Sequence, residues 1–298
     1  MIPGGTLPRH DWQQESPCAA QCSDHEPQTA ARWLRMARWV AFITVALGGI
    51  LALALTYPFG AAARRVAIRG AARALLWSLG VRVEPVGNVP LRALVVANHQ
   101  SLLDMVAIAS IAPAAFVAKA DIFEVRAIAV LIRAFGAIPL RRESLHELPV
   151  TVADVADRLR RGCTVAVFPE GTTYCGAHRG DFRPAFFQAA IDAQVDVVPV
   201  ALRYSMRLPG PVRGARRSAV ASYVGDDTEI DTLARVIAAR GVAVRVHATE
   251  SIPAADWACA GRRALAARAE AAVFADSDFL AEQLTHPVTH PLTRPLAA

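Results

Sequence analysis

The sequence predicts an α/β domain, a sheet covered by helices on both faces, that follows an N-terminal membrane-anchoring helical element. From residue 81 onward, short β-branched runs alternate with alanine- and arginine-rich helical stretches, which is typical of α/β sheets. Ahead of them, residues 39–57 carry no charged side chain, and 19 residues at ~1.5 Å each are about enough to cross a hydrocarbon core. The chain is also 54% hydrophobic and 19% charged, which excludes a disordered or collagen-like protein.

The N-terminal third predicts a leader and an anchor. Residues 1–31 are polar and rich in turn-forming residues, so we expect a disordered leader. Residues 32–80 are expected to form membrane-anchoring helices, because the apolar run has an aromatic residue at each end and residues 61–79 follow as a basic, amphipathic helix. A single span and an in-plane anchor both fit. A slight excess of arginine after the run places the next domain on the cytoplasmic side of the cell (inner) membrane.

Residues 81–280 are predicted to form one domain, and the proline-rich residues 281–298 an extended, disordered tail. In the tail a proline at every fourth position forbids both helix and sheet. Within the domain, β-branched runs predict strands at 93–97, 114–118, 137–140, 164–168, 195–202, 220–224 and 242–247. The stretches between them predict helices at 102–111, 122–135, 148–160, 184–193, 231–239 and 256–274.

The charge and the cysteines limit the partners. The formal charge of +6 comes almost entirely from arginine, which suits phosphate, carboxylate and anionic lipid surfaces. Nucleic-acid binding is not expected, since the arginines are spread through helices without a recognition motif. The five cysteines are scattered and show no disulfide framework or zinc-ligand spacing, so we expect a reducing compartment and no metal site.

A histidine and an aspartate follow the strand predicted at 93–97. Ser101 is a good N-cap for the next helix, which puts Asp104 in its first turn and His99 in the preceding loop. The imidazole can then fold back onto the carboxylate, which would fix its tautomer and make it a general base for an alcohol. The alternative is that Asp104 merely completes a capping box with Ser101, and that His99 is a satisfied loop residue.

Three further blocks accompany this pair. A strand predicted at 164–168 runs into a turn with a stiffening proline and a permissive glycine, Phe168-Pro169-Glu170-Gly171-Thr172-Thr173. Between the two, Gly136 precedes a short strand and the paired guanidiniums of Arg141 and Arg142, which suit bidentate contact with phosphate. Later, Pro199 interrupts a strand, which predicts an edge strand or a bulge.

The order of the blocks NHxxxxD, GxIxxxR, FPEGT and VVPV, over roughly residues 83–204, resembles the glycerolipid acyltransferase family. The resemblance implies a mixed sheet flanked by helices with an N-terminal membrane-binding element. It also implies acyl transfer, without a cofactor, from acyl-CoA or acyl-carrier protein to a lysolipid such as 1-acylglycerol-3-phosphate. His99 would be the general base and Asp104 its orienting carboxylate. The substrate-binding residues would be Asn98, Gly136, Arg141, Arg142, Phe168, Pro169, Glu170, Gly171, Thr172 and Thr173, with Pro199 near the acyl chain or donor.

The sequence also departs from the family pattern. Threonine occupies position 173, where many members carry arginine, and Arg141 stands where an aspartate is common. Arg141, Arg179 or Arg183 would then supply the missing guanidinium, or the acceptor is not a phosphomonoester. Lyso-ornithine lipid is the alternative acceptor.

Three other interpretations remain open. Cys175 could act as a nucleophile in a Cys-His acyl-enzyme mechanism, because a thiolate near a base is reactive. The same base could activate water and make the protein a thioesterase, although no Gly-x-Ser-x-Gly elbow is present. A protein of another class, a non-catalytic lipid-binding membrane protein, could also retain this fold.

Overall fold

The chain folds as a mixed sheet with helices on both faces. The structure, a computed structural model, describes residues 16–22, 29–120, 136–141, 146–207 and 215–275. The helix predicted at 122–135, Arg142, the tail at 281–298 and most of the predicted leader lie outside the described residues.

The predicted elements within the described residues are largely confirmed. The strands are β1 Arg82–Val86, β2 Leu94–Ala97, β3 Ala115–Lys119, β4 Ile138–Leu140, β5 Val165–Val167, β6 Val197–Arg207, β7 Ala215–Arg217 and β8 Val242–Ala248. The helices are α1 Arg32–Thr56, α2 Gly60–Ser78, α3 Leu103–Ile111, α4 Leu148–Arg160, α5 Phe187–Ala193, α6 Glu229–Ala238 and α7 Gly261–Phe274.

The sheet order is β1-β8-β6-β2-β5-β3-β4, with β7 paired to β6. Strands β2 to β6 run parallel to one another, whereas β6 is antiparallel to β8 and to β7. β2 therefore lies between two parallel neighbours, β5 and β6. Loops that leave the carboxyl end of such a strand open at the edge where α/β folds place their sites.

Two apolar cores cover the two faces of the sheet. Along β2, Val95 and Ala97 join the core beneath α1, α2, α3 and α6, whereas Leu94 and Val96 join the core beneath α4, α5 and α7. All four side chains are fully buried. Alternate side chains of a strand point to opposite faces, so a strand buried on both sides reads as a continuous apolar run.

The N-terminal helices leave an apolar surface uncovered. α1 packs on α2, and α2 packs on α3. Five large apolar side chains of α1, which are Val40, Ile43, Leu47, Leu51 and Leu55, are 53–64% exposed. Residues Arg32–Ser78 contain the one helical stretch in the described part of the chain that is long and apolar enough to cross a membrane, and only 6% of its apolar window is buried. That exposure separates it from the core helix of a soluble protein.

One predicted strand was wrong, and two strands were missed. Residues 220–224, predicted as a strand, form a mostly buried, irregular segment. The Arg235 side chain donates hydrogen bonds to the carbonyl oxygens of Val220 and Ser222, at 2.9 and 2.5 Å, and so occupies acceptors that a neighbouring strand would use. β1 and β7 were not predicted. β1 contains a proline and a glutamate and is an edge strand that pairs only with β8, while β7 is a three-residue extension beside β6.

Pro199 lies neither on an edge strand nor in a bulge. β6 runs between β2 and β8 in continuous register on both sides. The Thr249 N–H donates to the Pro199 carbonyl oxygen at 2.9 Å, one residue after β8 ends at Ala248. In a strand, the N–H and the C=O of one residue point to the same side. The side of Pro199 that lacks an N–H therefore faces the chain just beyond the end of β8, where no ladder hydrogen bond is lost.

Candidate active site

The structure brings His99 and Asp104 together at the carboxyl end of β2. β2 ends at Ala97 and α3 begins at Leu103, so His99 lies in the connecting loop and Asp104 in the first helical turn. His99 Nδ1 is 2.9 Å from Asp104 Oδ2. The aspartate side chain is fully buried, whereas that of His99 is 14% exposed, which leaves the imidazole accessible from outside.

Asp104 is held by four donors. Its Oδ2 accepts the backbone N–H groups of Gln100 at 2.7 Å and Ser101 at 2.8 Å, in addition to His99 Nδ1. Its Oδ1 accepts the Tyr204 hydroxyl at 2.7 Å. Because both oxygens accept, the carboxylate cannot donate, and the shared hydrogen belongs to His99 Nδ1. Nε2 then carries the lone pair that can take a proton.

The structure confirms the pairing of His99 with Asp104 and forms only half of the predicted capping box. Asp104 reaches back to the Ser101 N–H, as in a capping box. The N-cap position, however, is Leu102, and the Ser101 hydroxyl accepts from the Leu103 N–H at 3.1 Å instead of from Asp104. The same carboxylate therefore shapes the start of α3 and orients the imidazole.

Glu170 holds the His99 loop from the other side. It is 1% exposed, its Oε2 accepts the backbone N–H of His99 at 2.5 Å, and its Oε1 accepts the N–H of Gly180 at 2.9 Å. Burial raises the pKa of this carboxyl from 4.5 to about 8; the two N–H groups oppose the rise and the nearby Asp104 charge adds to it. Glu170 is thus placed to fix the backbone that carries the imidazole.

Glu170→Gln is expected to lower the stability of the protein most at acidic pH. The amide keeps one acceptor, so the His99 or the Gly180 N–H is left unpaired, at a cost of about 1–3 kcal/mol. Because folding raises the pKa of Glu170 from 4.5 to about 8, its stabilising effect is complete below about pH 4.5 and is lost as the pH rises through about 8. The gap in apparent melting temperature between wild type and variant should therefore narrow between about pH 5 and about pH 9.

Glu250→Gln is the matched control for this experiment, since Glu250 is exposed. It should leave the melting temperature unchanged across the same pH range. A wild-type advantage over Glu170→Gln that stays constant or grows with pH would contradict the assignment.

Aromatic rings support the imidazole. The His99 ring stacks on Phe168, with the ring centroids 4.1 Å apart and the planes 14° from parallel, and Phe116 lies beyond Phe168 at 6.4 Å. The Phe168 of the third block therefore contacts the histidine itself. A ring fixed on one face and at Nδ1 has little rotational freedom, which presents Nε2 in one direction.

Other predicted site residues join parts of the backbone. Asn98 exchanges two hydrogen bonds with the main chain of Leu202, at 2.7 and 3.0 Å, and so ties the end of β2 to β6. The Thr173 hydroxyl donates to the Tyr223 carbonyl oxygen at 2.5 Å. Gly171 has φ +76° in the turn after β5, where its N–H donates to the Phe168 carbonyl oxygen. Pro169 and Thr172 complete this turn.

The arginines of the second block follow β4, which ends at the same edge of the sheet as β2. β4 is the third strand from β2, so its carboxyl end lies about 14 Å away across three strand spacings. The Arg141 side chain is 67% exposed and pairs with Glu147 at 3.1 Å. Gly136 has φ +76°, and its carbonyl oxygen accepts from Arg158 at 3.0 Å. Arg142, the family-pattern arginine, lies outside the described residues.

Arg179 and Arg183 follow the third block. The Arg179 guanidinium lies 4.9 Å from the ring centroid of Phe274. The backbone N–H of Arg183 donates to the Pro169 carbonyl oxygen at 2.9 Å, and the residue is exposed. The backbone of Arg183 is thus held against the FPEGT turn.

The geometry does not favour Cys175 as a nucleophile. Its side chain is 4% exposed, and its sulfur contacts His178 Nδ1 at 3.4 Å instead of His99. A hydrogen bond with Cys18 and burial raise the pKa of the Cys175 thiol. A buried thiol of raised pKa is a poor nucleophile.

A cavity of about 800 Å³ lies away from this site, between α1, α2 and β1. It reaches Ser110 at the carboxyl end of α3, and Trp77 contributes to its wall. His99 precedes the other end of that nine-residue helix, about 13 Å away at ~1.5 Å per residue. The cavity is therefore separate from the surroundings of the imidazole.

Comparison with known proteins identifies a family match. A family model described as Acyltransferase matches residues 80–203. A 1-acyl-sn-glycerol-3-phosphate acyltransferase of Neisseria meningitidis serogroup B is 32% identical over 178 residues, which are 58% of this chain and 67% of that protein. A lyso-ornithine lipid O-acyltransferase of Pseudomonas aeruginosa is 29% identical over 177 residues, 59% of this chain and 66% of that protein.

A solved structure shares the fold. PlsC from Thermotoga maritima, a 1-acyl-sn-glycerophosphate (LPA) acyltransferase, superimposes with a TM-score of 0.60 over 84% of this chain and 95% of its own, at 21% identity. That likeness concerns the fold alone. The matched segments of this chain span between about half and two thirds of the length of the first sequence relatives.

Proposed function

The chain belongs to the glycerolipid acyltransferase family, and from that premise we propose that it transfers an acyl group from a thioester donor to the free hydroxyl of a lysolipid, with 1-acylglycerol-3-phosphate as the acceptor. One observation carries the proposal: an accessible imidazole at the carboxyl end of β2 is braced at Nδ1 by a buried aspartate 2.9 Å away. A base held in this way suits deprotonation of an alcohol.

The proposed reaction needs no covalent enzyme intermediate. His99 Nε2 removes the proton of the acceptor hydroxyl while Nδ1–H stays bonded to Asp104. The oxygen attacks the thioester carbonyl carbon of acyl-CoA or acyl-carrier protein and forms a tetrahedral intermediate. As that intermediate collapses, the C–S bond breaks, and the departing thiolate takes the proton from the imidazolium. Asp104 stabilises the imidazolium that exists between these two proton transfers.

Glu170 and Phe168 are positioning residues in this proposal. Glu170 fixes the backbone N–H of His99, and Phe168 supports one face of its ring. Neither needs to touch the reacting atoms. Their effect is to hold the base within hydrogen-bond reach of a substrate hydroxyl, a geometry to which reaction rates are very sensitive.

Two basic groups support a phosphate-bearing acceptor. Arg183 lies beside the FPEGT turn, and Arg141 leaves the same edge of the sheet as His99. Guanidinium groups match the geometry of phosphate oxygens. An acceptor whose hydroxyl lies at His99 would extend its phosphate along the FPEGT turn toward Arg183.

Lyso-ornithine lipid is the second candidate acceptor, and one feature of the chain favours it. Thr173 stands where many family members carry arginine, and its hydroxyl is used to bind the Tyr223 carbonyl oxygen. Position 173 therefore holds the loop through a hydrogen bond and provides no positive charge for a phosphate. Relatives from Pseudomonas aeruginosa and Rhizobium meliloti carry the name lyso-ornithine lipid O-acyltransferase.

An acceptor panel separates the two candidates. Membranes that contain the protein are incubated with one labelled acyl-CoA and either lysophosphatidate or lyso-ornithine lipid. We expect labelled phosphatidate at the higher rate. Labelled ornithine lipid alone would select the second candidate, and labelled free fatty acid alone would contradict acyl transfer. Repeating the winning reaction with acyl-carrier protein identifies the donor.

The membrane proposal follows from where the substrates are found. Lysolipid tails lie in the bilayer and thioester donors in the cytosol, so a site at the membrane surface meets both. The exposed apolar face of α1 would insert into the inner membrane. The arginines of α2, which are Arg64, Arg65, Arg69 and Arg73, would contact anionic headgroups on the cytoplasmic side.

A further inference from the structure

Four potential metal ligands lie close together at the loop that follows the FPEGT turn. Cys18 and Cys22 come from the N-terminal segment, and Cys175 and His178 from the loop after β5. Their three sulfur atoms and one ring nitrogen all lie within 4.8 Å of one another. The two halves are more than 150 residues apart in sequence, so the cysteines look scattered and the four ligands show no joint spacing.

The distances fit one tetrahedral ion. With Zn–S near 2.3 Å and Zn–N near 2.0–2.1 Å, a tetrahedron places a ligand sulfur and a ligand nitrogen about 3.6 Å apart. His178 Nδ1 lies 3.4 Å from the sulfur of Cys175 and 3.8 Å from that of Cys18. The side chains thus surround a space of the size that a single ion needs.

The surroundings are those of a closed site. Cys18 and Cys175 are buried, and the cluster packs against Tyr174, Val224 and Ala219. The backbone N–H of Cys175 points at the sulfur of Cys18 at 3.2 Å. Amide donors of this kind support ligand sulfurs from outside the metal shell.

We propose that Cys18, Cys22, Cys175 and His178 bind one structural Zn²⁺ ion. Three thiolates and an imidazole in a tetrahedral arrangement select zinc among the common metals. All four positions are filled by protein, which is typical of a structural ion and leaves none for a substrate. An iron–sulfur cluster needs a wider separation between its cysteine sulfurs than these four ligand atoms allow.

The ion would connect the N-terminal segment to the loop that holds His99. The Tyr174 N–H donates to the His99 carbonyl oxygen at 2.8 Å, and the Cys175 carbonyl oxygen accepts from Gln100 Nε2 at 3.2 Å. On the other side of the ligands, Gly180 donates to Glu170. Zinc would therefore stabilise a loop whose two ends both brace the His99 backbone.

The test measures the metal itself. Full-length protein with a tag that does not bind metal is purified in detergent, with a reductant and without chelators, and its metals are quantified by mass spectrometry. We expect about one zinc ion per chain, with an apparent melting temperature that falls when a chelator removes it. In Co²⁺-exchanged protein we expect thiolate-to-cobalt charge-transfer bands together with the d–d bands of a tetrahedral site.

A pair of double variants provides the matched comparison. Cys18→Ser with Cys22→Ser should lose the zinc, whereas Cys163→Ser with Cys259→Ser should keep it, because both of those cysteines are exposed and outside the cluster. Metal-free wild type, equal zinc in both double variants, bound iron, or a Cys18–Cys175 disulfide in freshly isolated protein would overturn the proposal. None of these readouts depends on acyl transfer. The zinc proposal can therefore be wrong while the proposed reaction is right, and the reaction can be wrong while the zinc proposal is right.

Discussion

His99→Ala is expected to lower kcat/KM for acyl transfer by about 10³-fold, within the range of 10²–10⁴ that a positioned general base contributes. The variant loses the imidazole that we propose takes the hydroxyl proton while Asp104 holds its tautomer. Lysolipid binding should be retained, because in the proposed reaction the imidazole acts only on the proton of the acceptor hydroxyl. Initial rates with a labelled thioester donor, alongside lysolipid binding to the same preparation, measure both quantities.

His146→Ala is the matched control for this substitution. His146 is exposed just before α4, away from the loop between β2 and α3, and its replacement should leave the rate unchanged. Near-wild-type turnover in His99→Ala would refute the assignment of the base.

Asp104→Asn should lower kcat by about 10²–10⁴-fold with little change in KM. The amide has the shape of the carboxylate, and its oxygen can still accept from Gln100 and Ser101, so the start of α3 should persist. What is lost is the negative charge that stabilises the imidazolium of His99 during proton transfer. Steady-state kinetics over a range of acceptor concentrations, together with the circular dichroism spectrum, separate this effect from unfolding.

Tyr204→Phe is the companion variant. It removes one hydrogen bond from a hydroxyl to the charged Asp104 Oδ1 but keeps the charge and all three N–H donors on Oδ2. We expect a loss of about tenfold, in keeping with the lower end of the ~1.5–3 kcal/mol that a hydrogen bond to a charged group contributes. If Tyr204→Phe were as damaging as Asp104→Asn, the charge of Asp104 would not be the property that matters.

The contact between His99 and Asp104 could be predicted because it is local. The two residues are five positions apart, and the helix predicted from residue 102 begins at Leu103. Once α3 begins near Leu103, the return of the carboxylate to the loop follows from the geometry of one helical turn. The strand before it, β2, could also be predicted, because a strand that is buried on both faces is a continuous apolar run.

The distant supports of the pair could not be predicted, because they depend on sheet register. Tyr204 reaches Asp104 from 100 positions away, and Glu170 reaches the His99 backbone from 71. One signal for Tyr204 was present in the sequence: it continues the alternation of Val200 and Leu202 on the buried face of β6. For Glu170 the third block indicated a site residue, but not that it would bind backbone N–H groups.

The same limitation explains the strand prediction at 220–224 and the cysteines. An apolar run near Val220 forms a strand only if a neighbouring strand offers its backbone, and here the side chain of Arg235 takes that place. Cys18 with Cys22, and Cys175 with His178, each supply only half of the four ligands, so neither pair alone was enough to predict the cluster. In both cases the deciding partner lies far away in the sequence.

The most direct test of direct acyl transfer is a single-turnover experiment with wild-type enzyme in excess over labelled acyl-CoA, with and without the lysolipid acceptor. Thiol release is followed by a colorimetric reagent, and the label is traced to lipid, free fatty acid or protein. We predict that CoA is released only when acceptor is present, with one acylated lipid formed for each thiol. Rapid thiol release without acceptor, with the label on the protein or in free fatty acid, would contradict the account.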